Sequence, residues 1–134
     1  MGESFKDLLV WQRSMESALA IYRLTADFPN AEKFGLTAQM RRSSVSVSSN
    51  IAEGHGRITS GEYLQFLGHA RGSNSELETQ LILARYLGFG SGDKIEACEQ
   101  LCREVGRLLG LLIKSIQARI LSRQNAARSQ SLVP

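Results

Sequence analysis

Two histidines, two cysteines and a set of arginines are the side chains of this 134-residue sequence with the widest chemical reach. A carboxylate-bridged pair of metal ions in a helical bundle needs Glu-x-x-His pairs facing inward. Ala52 and Phe66 stand where those glutamates would precede His55 and His69. No arginine precedes either histidine at the spacing used by RNA-cleaving helical domains. Cys98 and Cys102 are one helical turn apart, which suits neither a zinc knuckle nor an oxidoreductase motif. A bridge between them would be strained, so they read as reduced cysteines packed like small hydrophobes. There is no glycine-rich phosphate loop, no nucleophile elbow and no zinc-spaced cluster. The expectation is a protein without metal, cofactor or catalytic residues.

The chemistry that remains is charge. The net charge is +3, but residues 1–102 hold 10 basic and 12 acidic side chains, and residues 103–134 hold 6 basic and 1 acidic. The first stretch is therefore −2 and the second +5. Such asymmetry suits an anionic partner. Arg103, Arg107 and Lys114 fall within about 40° of each other at about 100° per residue, opposite the middle of their helix's apolar arc. Phosphates would be drawn to that stripe, especially if an oligomer repeated it around a ring. Arg41 and Arg42, and the later Arg119, Arg123 and Arg128, are candidates to extend it. The competing reading is an ordinary solvated helix face. Asn50, Glu53, Arg71, Asn74, Glu76 and Glu78 form a further polar group, read as hydrogen bonds and ion pairs that fix helix register.

Four helices must position these residues. The first is expected from Phe5 to Ala26, with Leu8, Trp11, Met15, Leu19 and Tyr22 as its core stripe. Phe28-Pro29 closes it, because a residue before proline is pushed out of the helical region. The second runs from Leu36 to Glu53. Its Ser43–Ser48 run alternates like a strand, but Leu36, Met40, Val47 and Ile51 share one helical face. The third follows a Thr59/Glu62 capping box and reaches Leu87, with Leu67, Ala70, Asn74, Leu77, Leu81 and Ala84 as a coiled-coil-like seam. The fourth starts near Asp93, which with Glu96 suits a second capping box. Its apolar positions span about 200°, twice what a surface helix needs.

That architecture is all-α, an antiparallel up-down four-helix bundle over residues 1–122, with a flexible basic tail at 123–134. Val10, Ile21 and Leu24 lie off the first helix's expected core stripe, and the fourth helix adds Leu109, Leu111 and Ile113. This surplus apolar surface predicts burial against other subunits. No stretch approaches the ~20 apolar residues of a membrane span, and the first residues lack the pattern of a signal peptide. The expected location is the cytoplasm.

Three blocks carry a resemblance to a known family. They are Phe5-Lys6-Asp7-Leu8-Leu9-Val10-Trp11-Gln12, the run from Phe34 through Arg41-Arg42-Ser43-Ser44 to Gly54, and Gly72-Ser73 with Glu76 to Leu81. In these the chain resembles the four-helix bundle proteins encoded in 23S ribosomal RNA intervening sequences. It is also similar to the accessory variability protein of diversity-generating retroelements. The resemblance implies a homopentamer, with RNA or DNA, or a protein such as a reverse transcriptase, as partner. It implies fold and assembly roles for Asn50, Glu53 and Glu78 rather than catalysis. The expected function is a non-catalytic, oligomeric, nucleic-acid-binding accessory protein, RNA being favoured. The alternative is a protein-interaction scaffold.

Overall fold

A computed structural model describes residues 4–131. Four helices account for most of them: α1 (Leu9–Thr25), α2 (Leu36–His55), α3 (Ser60–Leu87) and α4 (Gly92–Ser131). Among the described residues there is no strand, and no helix is long and apolar enough to cross a membrane.

Local chemistry sets the boundaries. Phe5–Asp7 is a separate 3-10 turn, capped by Ser4, whose hydroxyl accepts from the Lys6 amide. The first helix therefore starts later than its apolar spacing suggests. Glu32 reaches forward from the connecting turn and accepts the Leu36 amide at 3.1 Å, which satisfies one of the free donors at the start of α2. Thr59 caps α3 as expected: its hydroxyl oxygen accepts the Glu62 amide at 3.1 Å. At the far end Gly88 takes a left-handed conformation (φ 74°), and the Phe89 amide returns to the Ala84 carbonyl. Ser91, rather than Asp93, caps α4 by accepting the Lys94 amide.

Each helix packs on its neighbours in sequence, and α1 also packs on α4. Among the described residues the two diagonal pairs make no close backbone approach. Paired side chains run in opposite order across every seam. Ser14 meets Ser48 and Thr25 meets Arg41. Ser46 meets Ser73 while Gly54 abuts Phe66. Asn74 meets Cys102 while Ser60 meets Arg123, and Arg13 meets Glu104 while Asp27 meets Lys94. The bundle is antiparallel at each of its four seams.

The core divides into two apolar halves. One, at the end holding the α1–α2 and α3–α4 connections, is built on Ile21, Leu24, Met40, Leu77, Leu81, Ile95 and Cys98. The other contains Val10, Val47, Ile51, Leu67, Val105, Leu109 and Ile116. Between them lies a polar waist. Ser14 and Ser48 share a 2.8 Å hydrogen bond, Ser17 lies 3.9 Å from the Cys102 sulfur, and Asn74 donates to the Cys102 carbonyl at 2.9 Å. The α3 seam, Asn74 included, is buried along its whole expected length.

The first helix turns opposite faces to the ones expected. Val10, Ile21 and Leu24 are buried in the protomer, as is Leu109 of α4, so none is available to a neighbouring subunit. Met15, Leu19 and Tyr22, expected inside, are exposed. Two apolar arcs lie on different faces of α1, and the inner one interleaves small residues: Ser14, Ser17 and Ala18. Small side chains let α1 approach the serine-rich face of α2 closely, which the bulkier arc would prevent. The fourth helix also differs. Of the tail expected at 123–134, residues 123–131 continue α4 as helix with every side chain exposed, and 132–134 lie outside the described residues.

Candidate nucleic-acid interface

Two grooves stand out among the described residues. The first, between α3 and α4, has a volume of about 340 Å³ and is lined by Arg71, Gly106, Arg107, Gly110, Leu111, Ile113, Lys114 and Gln117. Two glycines one turn apart on α4 lower its floor, and Arg71 of α3 faces Arg107 and Lys114 across it. Arg103 is exposed on the same face of α4, one turn before Arg107. Of the hydrophobic positions assigned to a subunit contact, Leu111 is exposed and Ile113 half-buried, and both line this groove.

Among the described residues, none of these four cations forms an ion pair. The carboxylates that do pair lie elsewhere. Glu16 and Glu104 hold Arg13 at 3.1 and 2.9 Å, Asp27 holds Lys94 at 2.8 Å, and Glu99 holds Arg85. The groove thus brings together Arg71, Arg107 and Lys114, none ion-paired among the described residues, on a lining that also includes Leu111 and Ile113.

The two α2 arginines do not join it, since α2 is diagonal to α4. Arg41 is committed to the α1–α2 seam. Its guanidinium lies 4.5 Å from the Tyr22 ring centroid, Nε donates to Thr25 Oγ1 at 2.9 Å, and Nη2 donates to the Tyr22 carbonyl at 3.3 Å. Arg41 is a clamp between helices. Arg42 is exposed on another face of α2. Arg71, in contrast, was read from the sequence only as part of a polar group; its place in the groove depends on how α3 and α4 align.

The second groove, between α1 and α2, has a volume of about 530 Å³. Trp11, Met15, Leu19 and Tyr22 form one wall, and Val45, Ser48, Ser49 and Ala52 the other. It is apolar almost throughout. The surplus hydrophobic surface on which self-association was expected therefore exists, but on the bulky arc of α1 instead of Val10, Ile21 and Leu24.

The two thiols offer no nucleophile. Burial pushes Cys98 up to about 11 and Cys102 up to about 12, so both stay protonated near neutral pH. Among the described residues no group of three or more His, Cys, Asp or Glu side chains could hold a metal ion. The polar group on α2 and α3 does not act as one network. Asn50 bonds back to Ser46, Gln80 donates to Glu76, and Asn74 joins the waist.

The described residues thus form a four-helix bundle that carries a basic groove and an apolar one. The family model of the 23S rRNA-intervening sequence protein matches residues 6–110, and the chain belongs to that family. A solved protein of unknown function from the S23 ribosomal protein family, from Bacteroides thetaiotaomicron VPI-5482, shares the fold with a TM-score of 0.71. It is 24% identical, and the match covers 79% of this chain and 99% of that one. No curated protein matches. Arg71, Arg103 and Arg107 lie inside the family-matched segment, whereas Lys114 and the end of α4 lie beyond it.

Proposed function

We propose that this protein is a non-catalytic, nucleic-acid-binding accessory protein that assembles from identical subunits and holds phosphates in the α3–α4 groove. The observation that carries the reading is that Arg71, Arg107 and Lys114 converge on one groove with no carboxylate partner among the described residues. Guanidinium forks match phosphate geometry, and each neutralised phosphate releases counterions. The family's connection, by name, with 23S ribosomal RNA favours RNA over DNA. Contacts of this kind position a backbone without reading sequence. In this reading the α1–α2 groove is covered by a neighbouring subunit, and five copies are implied by the sequence resemblance.

A gel-shift titration tests the proposal. The protein should shift RNA at low salt, with affinity falling steeply as salt rises. Replacing Arg103, Arg107 and Lys114 together by Glu should abolish the shift while light scattering reports an unchanged assembly. Absence of any shift by the native protein at low salt overturns the reading. The apolar α1–α2 groove favours a second one, a scaffold gripping another protein without a direct nucleic-acid role. Binding to such a partner would survive the salt that releases phosphates.

A further inference from the structure

At the opposite end of the bundle from the α3–α4 connection, the short turn between α2 and α3 carries a different set of groups. Arg57 is exposed on the turn, and its guanidinium lies 4.4 Å from the ring centroid of Phe66. His69 stands edge-on to the same ring at 6.1 Å. The Cβ of Phe66 lies close to Gly54, where an added methyl group would come within 2.8 Å of it. Beside Arg57, Ile58 is 99% exposed. From α4, Arg123 donates to Ser60 at 3.4 Å, and the charge of Arg119 acts on Tyr63. Among the described residues Arg57, Arg119 and Arg123 have no carboxylate partner. Of the two acids nearest Arg57 in sequence, Glu62 accepts from the Thr59 hydroxyl at 3.0 Å, and Glu53 forms no ion pair with Arg57 among the described residues.

We infer that this turn is a stacking site for unpaired nucleotides, with the Arg57 guanidinium on Phe66 as platform and Arg119 and Arg123 as phosphate contacts. The inference rests on the nucleic-acid reading above and specifies its substrate class as single-stranded. Planar guanidinium groups and aromatic rings stack on unstacked bases, whose faces a duplex hides. Positive charge alone would serve any polyanion; a pre-laid plane beside an exposed aliphatic tip serves a base. The α3–α4 groove has no aromatic side chain in its lining, so it offers phosphate contacts only.

The test uses the full chain, a short fluorescent RNA strand of mixed sequence, the same strand paired with its complement, and inorganic polyphosphate. Arg57→Lys keeps the charge and removes the plane. Phe66→Leu keeps an apolar contact with Gly54 and removes the ring. The single strand should bind more tightly than the duplex. Each variant should weaken the single strand by about five-fold or more, the lower end of what one stacked base contributes. Duplex and polyphosphate affinities should not change, and circular dichroism should report the native helicity for Arg57→Lys. Equal binding of single strand and duplex, with Arg57→Lys silent, overturns this inference and leaves the α3–α4 groove standing. No binding of any of the three overturns both.

Discussion

Burial of Cys98 and Cys102 has a consequence for stability as well as for reactivity. Burial pushes their folded-state pKa values above the ordinary thiol value of 9.0, to about 11 and about 12. The folded protein therefore holds protons that the unfolded chain gives up as pH rises past 9.0. Below that pH the thiols do not oppose folding; above it stability falls until the folded-state values are passed. Urea unfolding between pH 8 and 11 should show that decline, and the Cys98→Ala/Cys102→Ala protein should show a flatter one. In the native protein iodoacetamide should label neither thiol at pH 8, and both once urea unfolds it. Single residues were legible to very different degrees. The pairing of Asn74 with the other helices is announced by its place in an apolar seam, where a lone amide must find a partner. Nothing local marks Arg41 as a clamp, because its partners, Tyr22 and Thr25, belong to another helix.

Helix α3 was readable because a single apolar arc, repeated at three and four, leaves one way to turn it inward. Helix α1 has two arcs on different faces, and hydrophobic size favours the wrong one. What decides is the surface α1 meets, since Ser44 and Ser48 of α2 are buried and admit only a close, small-residue contact. Sequence periodicity reports that a face is apolar, not which apolar face is nearer to its neighbour. The same limit applies to the basic groove. The α4 stripe is visible in spacing, whereas Arg71 depends on the alignment of two helices. The tight approach of α2 and α3 at Gly54 gives a direct test of packing. A Cβ on Gly54 would stand 2.8 Å from Phe66 Cβ and 3.0 Å from Tyr63. Gly54→Ala should therefore cost about 1–3 kcal/mol as the α2–α3 seam is forced apart, despite alanine's better helix propensity. A urea midpoint that rises instead would show that the seam can yield.

For the molecule as a whole, the exposed arc of α1 and the apolar wall of α2 form a hydrophobic groove of about 530 Å³. In the proposed assembly this groove is the subunit contact. Leu19→Asp, at a position already 53% exposed in the protomer, should dissociate the assembly to single subunits. Light scattering reads the mass, and circular dichroism should remain unchanged. An assembly that persists would place the contact elsewhere. The polar waist bears on how the two grooves could influence one another. Sliding any helix by one turn, about 5.4 Å, would carry Ser14, Ser48 or Asn74 into leucine-lined layers with their hydrogen bonds broken. Piston-like displacement is therefore closed to this protein as a means of signalling along its axis. In the proposed assembly, occupancy of one groove would then reach the other by tilting whole subunits about their contacts, with the waist making each one a rigid stave.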